Sequence, residues 1–272
     1  MKILYATDLH GDLEKYNELF KVAVESKADI VINGGDMLPK EGNLLDQKDF
    51  ITSHLLEHFE KFEKKQIYYL FYPGNDDLKI FDPLIAKICK KCKFIKNIAQ
   101  KMIPIAGYEF IGMNLVSDYP FRLKDRCRKD TKASPIRLQY GTALLSDKNG
   151  FREIPNWDEY VSKLPTIEEE LRALKKPKDA SKSVYVIHMP PDKLGLDVCF
   201  HGEKVGSKAV YDFIKLNQPK LTLHGHIHES PQVTGVWKTK LDKTLCVQPG
   251  QMNGFTYVLI DLDKDTCERF TV

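Results

Sequence analysis

No stretch of this sequence is apolar for long. The first hydrophobic run, Ile3 to Ala6, is followed at once by Asp8 and His10. Such runs are too short for a bilayer span or a secretory leader. Charge of one sign is missing too: 41 basic residues stand against 38 acidic ones, a net charge of +3. The global charge therefore makes no case for nucleic acid, and any basic surface is local. Cysteine is sparse, six in 272 residues, and reads as reduced thiols rather than a disulfide framework. There is no repeat and no low-complexity linker. The expectation is a soluble cytoplasmic protein, with 42% hydrophobic residues to fill its core.

What recurs instead is a short run rich in Val, Ile and Tyr that stops at a polar cluster. "KILYAT", "DIVIN", "IYYLFY", "EFIGMNLV", "SVYVI", "LTL", "LCVQ" and "TYVLIDL" are nearly all apolar, as in strands buried on both faces. Helical stripes lie between the first of them: Leu13, Tyr16, Leu19, Phe20, Ala23 and Val24, then Phe50, Leu55, Phe59 and Phe62. The β-α-β-α-β order predicts an α/β protein with a mainly parallel first sheet. From about residue 183 the strands crowd together, which predicts a second, mixed sheet packed on the first.

The residues just after each strand carry the chemistry. Asp8 and His10 follow the first, Gly34-Gly35-Asp36 the second, and Gly74-Asn75-Asp76-Asp77 the third. "SVYVI" is followed by His188, and "LTL" by His224-Gly225-His226-Ile227-His228. Open α/β sheets bind ligands at the carboxyl ends of their strands. One Asp or Asn there is a turn former; five strand ends delivering Asp, Asn or His to one rim make a metal site. Asp8, His10, Asp36, Asn75, His188, His226 and His228 exceed what one tetrahedral zinc takes. They suit two divalent ions sharing Asp36. With two carboxylates the cluster keeps a charge of about +2, or about +1 with a bridging hydroxide, which attracts phosphate and acidifies bound water. The mixed imidazole and carboxylate donors select a transition metal, with manganese placed ahead of Fe, Zn, Ni and Co.

Asp8-x-His10, Gly34-Gly35-Asp36, Gly74-Asn75-x-Asp77, His188 and Gly225-His226-x-His228 together resemble the calcineurin-like metallophosphoesterase superfamily. The stretch from Lys204-Val205-Gly206-Ser207 to His228-Glu229-Ser230 is similar to a bacterial and archaeal branch of unassigned substrate. The resemblance implies a four-layer αββα sandwich of two mixed sheets flanked by helices. It also implies that Asp8, His10, Asp36 and His228 hold one metal, and Asp36, Asn75, His188 and His226 the other. The expected function is hydrolysis of a small phosphoester, a diester ahead of a monoester, by a metal-bridging hydroxide. The alternative is a non-catalytic scaffold of the same fold, which has no need of seven ligands. One departure stands out: many family members have His after the Asn as general acid, with an acidic residue behind it. Here Asp76 occupies the acid position and Asp77 the one behind. A solvated Asp has a pKa of about 3.9 and no proton to give at neutral pH; it could serve only if burial or Asp77 beside it raised that pKa, and the expectation is weak acid assistance.

Other features compete. "HLLEH", His54 to His58, fits an inverted zinc-protease motif, against which His58 adjoins the apolar stripe of Phe59 and Phe62. Cys89 and Cys92 form a lone CxxC without the second pair a zinc site needs. Residues 117–182 are long for a connection and read as a cap insertion in a single domain of residues 1–272. Their cations Arg122, Lys124, Arg126, Arg128, Lys129 and Lys132 are candidates for substrate phosphates; nucleic acid is not favoured, because opposite charges dilute the patch and aromatics are sparse. Ser207 is placed as the N-cap of a helix over 208–216, and His201 as a loop residue that could touch substrate.

Overall fold

The structure, a computed structural model, describes residues 1–272. Its first part runs β1 (Lys2–Ala6), α1 (Leu13–Glu25), β2 (Ile30–Asn33), α2 (Gln47–Phe50), α3 (Leu56–Lys65) and β3 (Tyr68–Phe71). After these come α4 (Asp82–Cys89), β4 (Ile95–Asn97), β5 (Met102–Ile105) and β6 (Tyr108–Met113). The long connection contains β7 (Val116–Ser117), β8 (Cys127–Arg128), β9 (Ala143–Asp147), β10 (Gly150–Ile154), α5 (Trp157–Ser162) and α6 (Ile167–Ala173). The last part runs β11 (Ser183–Ile187), α7 (Lys208–Asn217), β12 (Leu221–Leu223), α8 (Ser230–Thr234) and β13 (Lys238–Leu241). It ends with β14 (Thr244–Val247), β15 (Thr256–Asp261) and β16 (Thr266–Thr271). No helix is long and apolar enough to cross a membrane.

Local chemistry explains the helix bounds. Asp12 starts α1, its carboxylate accepting from the Glu14 and Lys15 amides. The helix buries Tyr16, Leu19, Val22 and Ala23, whereas Leu13 and Val24 stay partly in solvent. Between α2 and α3 lies a π turn, Ile51–Leu55. It re-phases the stripe so that Phe50, Ile51, Leu55, Phe59 and Phe62 all reach one core. Thr166 and Glu169 form a capping box at the start of α6. Ser207 caps α7, accepting from the Val210 amide. The anion at that helix end is the chain's own Asp130, which accepts from the Lys208 and Ala209 amides.

Two six-stranded sheets, ordered β16-β15-β1-β2-β3-β4 and β13-β14-β12-β11-β6-β5, stack face to face. Ile3, Tyr5, Ile30, Ile32 and Leu70 from the first meet Phe110, Val184, Val186, Leu221 and Leu223 from the second. Leu4, Ala6, Val31, Tyr69 and Phe71 face the other way, under α1 and α3. Ile111, Met113, Tyr185 and Ile187 do the same beneath α6 and α7. This is the αββα sandwich, with strands apolar on both faces because both are covered.

One boundary differs from expectation. The second sheet is not drawn from the C-terminal part alone: β5 and β6 join it, β6 pairing parallel with β11. In exchange, β15 returns to the first sheet, pairing antiparallel with β1 from Lys2↔Asp261 to Tyr5↔Val258. An apolar pattern reports that a strand is buried, not which edge it covers. The "HLLEH" histidines are correspondingly structural. His58 is buried in an aromatic cage, with ring centroids 4.8 Å from Tyr16, 4.9 Å from Phe62 and 5.3 Å from Tyr69. His54 is exposed beside Phe50, with ring centroids 5.6 Å apart, and neither histidine belongs to a group of donors that could hold a metal.

Candidate metal centre

The carboxyl ends of β1, β2, β3 and β11, with the loop after β12, converge on one rim. Their side chains form two groups whose donor atoms lie within 4.8 Å of one another: Asp8, His10, Asp36 and His228, and Asp36, His188 and His226. Asp36 belongs to both. Asn75 completes the second group, its Oδ1 3.0 Å from His188 Nε2. All seven residues singled out as ligands are thus brought together.

The backbone is bent to achieve this. Asp8, His10, Asp36 and His226 all have positive φ, between 46° and 69°. That left-handed region disfavours residues with a Cβ and persists only where the surroundings enforce it. Two glycines make room. A Cβ on Gly74 would lie 2.1 Å from Asp36 Oδ1, and one on Gly225 would lie 2.7 Å from Asp8 Oδ2.

The donors are aimed. The His188 Nδ1–H donates to the Gly34 carbonyl at 2.7 Å, leaving Nε2 to face Asn75 and, at 3.4 Å, Asp36 Oδ2. His10 Nε2 and His228 Nε2 stand 3.1 Å apart, and His228 Nε2 is 3.3 Å from Asp8 Oδ1. The buried His10 Nδ1 has no hydrogen-bond partner. Imidazole nitrogens converging on buried carboxylates are the donor set of a cation site. Against full burial, the charges of Asp36 and Asp8 push His188 up to about 9. Burial opposes it, yet the adjacent His228 holds Asp8 far below the usual carboxylate range, as His188 does Asp36. Burial and the His188 charge push His226 down to about 3. The donor set and its charge demand fit divalent cations.

Asp76 and Asp77 separate. Asp77 is fully buried and faces away from the rim, its carboxylate accepting from the amides of Met37 (3.0 Å), Leu38 (2.8 Å) and Gly74 (2.7 Å). It ties the Asp36 loop to the Asn75 loop. Asp76 lines a cavity of about 380 Å³ together with Asp36, Asn75, His226 and His228. Its carboxylate accepts from Asn75 Nδ2 at 2.9 Å, and its amide donates to Asp36 Oδ1 at 2.9 Å. Desolvation in the cavity and the Asp36 charge push it up to about 7, although a third of its side chain remains accessible.

Sequence reasoning missed the rest of the cavity. Lys40, Tyr119, Phe121, Arg137, Tyr140 and Glu203 line it, and the available signal was "SDYPF", an aromatic pair just after a strand. The cations of the following stretch go elsewhere. Lys124 is buried against Asp118 at 2.9 Å, and Arg126 against Asp82 at 2.7 Å. Arg128 lies 3.5 Å from Glu170, Lys132 3.0 Å from Glu169 and Arg122 3.5 Å from Glu153. None of these five lines the cavity, nor does the exposed His201. Buried His224 holds strand ends, with Thr222 Oγ1 2.8 Å from Nε2 and the Ile187 carbonyl 2.9 Å from Nδ1. Cys89 and Cys92, at the end of α4, are free thiols and belong to neither donor group. A shallower groove of about 660 Å³ near Lys27, Lys65 and Asp263 contains none of the seven ligands.

The model of the calcineurin-like phosphoesterase family matches residues 1–230. No curated protein matches. Among solved structures, TT1561 of Thermus thermophilus is 20% identical, covering 99% of this chain and 98% of its own, with a TM-score of 0.64. A second crystal structure is 19% identical with the same coverage and a TM-score of 0.66. A dimetal phosphatase from Danio rerio is 8% identical over 95% of this chain and 91% of its own, with a TM-score of 0.53. At these identities the likeness is one of fold.

Proposed function

This chain belongs to the calcineurin-like phosphoesterase family and is a metal-dependent phosphoester hydrolase; from that premise we propose a dinuclear site that cleaves phosphodiesters in preference to monoesters. The observation that carries the dinuclear reading is the pair of donor groups sharing Asp36. Asp8, His10, Asp36 and His228 would hold one ion, and Asp36, Asn75, His188 and His226 the other, with manganese first among the candidates. When bound, such ions supply Lewis acidity toward phosphoryl oxygens and bring a water pKa near neutrality. The Danio rerio neighbour, by name a dimetal phosphatase, supports a pair of ions.

The chain's own residues do the remainder. Asp36, between the two groups, fixes their spacing. Asn75 is a neutral donor, so its group keeps more positive charge to offer a phosphate. Asp77 holds the two loops in register through three amide bonds. Asp76 stands at the cavity wall beside Asp36, Asn75 and His228. One cause of its raised pKa is the Asp36 charge, which a cation on Asp36 cancels. A carboxyl so placed gives little proton to a basic leaving group, and diesters with good leaving groups suffer least from that. We read residues 117–182 as a cap, because Ser117–Phe121, Arg137 and Tyr140 form one wall of the cavity.

The test is hydrolysis of bis-p-nitrophenyl phosphate after chelation and reloading with one metal at a time. Manganese should restore turnover at two ions per chain. Asp36→Asn, which weakens both groups, should lower kcat by at least about a hundredfold and reduce bound metal. Full metal occupancy without turnover in any metal would instead establish the scaffold.

A further inference from the structure

Four rings form a line that starts among the proposed ligands and ends in solvent. Centroid separations are 5.8 Å from His226 to Tyr119, 6.0 Å from Tyr119 to Phe121 and 5.9 Å from Phe121 to Tyr140. All four residues line the cavity of about 380 Å³. Tyr119 is buried, whereas Phe121 and Tyr140 are each 64% exposed. Aromatic side chains stabilise a fold through the area they bury. Two such rings left mostly in solvent, beside a reaction centre, contribute little to folding.

The base of the line is rigid. Asp118 accepts from buried Lys124 at 2.9 Å and from Trp157 Nε1 at 2.8 Å. The Lys124 ammonium lies 4.6 Å from the centroid of the Tyr119 ring. The same carboxylate accepts from the Arg137 amide and from Gln139 Nε2, both at 3.1 Å. The Tyr140 amide donates to the Pro120 carbonyl at 2.8 Å. Both exposed rings therefore hang from segments tied to one buried ion pair. The same cavity carries polar groups, with Arg137 Nη1 donating to Glu203 Oε1 at 2.5 Å.

We propose that Phe121 and Tyr140, whose planes meet at 79°, form an aromatic corner beyond Tyr119 in which a nucleobase carried by the phosphoester stacks on one ring and sets its edge against the other. The placing of the phosphate rests on the hydrolase reading above; the base is assigned from the aromatic line. Stacking on aromatic side chains accepts any base, since every base has a π face. Arg137 is held by Glu203 through one N–H alone, and its remaining guanidinium N–H groups can donate to the acceptors of a heteroaromatic edge, which a plain aryl ring lacks. A cavity of this size takes a small ligand, so a single nucleotide unit is assigned rather than a strand.

Two phosphodiesters with one leaving group test this: thymidine 5′-(p-nitrophenyl phosphate) and methyl p-nitrophenyl phosphate. Binding without turnover is read on the metal-loaded protein with the C–P phosphonate analogues of adenosine 5′-monophosphate and ribose 5-phosphate, which have no ester bond to hydrolyse. The wild type should bind the nucleotide at least about tenfold more tightly, and show a similar preference in kcat/KM for the thymidine diester. The double variant F121A/Y140A should reduce both preferences to within about threefold. Phe121→Trp should keep them, and Phe121→Leu, apolar but not aromatic, should not. Thermal melts should stay close to wild type, because both rings are largely in solvent. Equal wild-type affinity for the two binding probes overturns the aromatic corner, whatever turnover shows. So does a preference that survives F121A/Y140A. Absence of turnover on both diesters, with the nucleotide preference in binding intact, overturns the diester reading and leaves the aromatic corner standing.

Discussion

Asp76 stands where the sequence resemblance implies a general acid, and the structure puts it on the cavity wall with a third of its side chain accessible. Its neighbour Asp77, adjacent in sequence, points into the protein and meets only amides. The two adjacent carboxylates thus meet different surroundings, one the cavity and the other buried amides. A working general acid contributes about 10² to 10⁴ in rate. Asp76→Asn should cost an activated aryl diester less than about tenfold in kcat/KM, and wild-type rates should fall steeply as the leaving-group pKa rises. The measurement is a series of phenyl and alkyl diesters in both enzymes. If the variant handled aryl and alkyl esters alike as poorly as Asp36→Asn, weak acid assistance would be wrong.

Among elements, the strand ends were the most legible part of the sequence, because Asp, Asn or His after an apolar run breaks the pattern visibly. The helix stripes were legible too, though no spacing rule disclosed the π turn at Ile51–Leu55 that brings Phe50 and Leu55 into one core. Charge misled in the connection over 117–182. A run of Arg and Lys looks like a phosphate grip, but ion pairs with Asp82, Asp118, Glu169 and Glu170 occupy four of its cations. At the β2 and β3 ends the loops depend on the Asp77 clamp. An Asn there has one acceptor oxygen and an NH₂ that opposes the amides. Asp77→Asn should leave a buried amide unpaired, costing about 1–3 kcal/mol. Its melting temperature should fall and its metal affinity weaken. An unchanged melt with unchanged metal binding would show that the clamp holds nothing.

At the scale of the molecule, part of the acid sensitivity comes from a histidine unrelated to the site. His58 sits where α1, α3 and β3 meet, against Tyr16, Phe62 and Tyr69. Burial, with the Lys61 charge, pushes it from 6.5 down to about 3. Below about 6.5 the unfolded chain takes a proton that the native state refuses until about pH 3. The stability due to this group is therefore complete above about 6.5 and lost as pH falls. His58→Leu should lessen the decline in denaturant midpoint between about pH 6.5 and about pH 4 while leaving hydrolysis unchanged. An acid limb of the same slope in the variant would assign it to the other buried histidines and the carboxylates instead.

The sequence alone determined which residues could serve as ligands and that their strands would be buried on both faces, since residue type and period are local properties. It also contained the family resemblance, carried by short spacings within each loop. The tertiary structure decided what depends on distant partners. It set the pairing of β15 with β1 and of β6 with β11, and the left-handed turns at Asp8, His10, Asp36 and His226. It separated Asp76 from Asp77, and it brought Phe121 and Tyr140 to the cavity. These are long-range contacts, and a contact between residues far apart in the chain leaves no periodicity behind it.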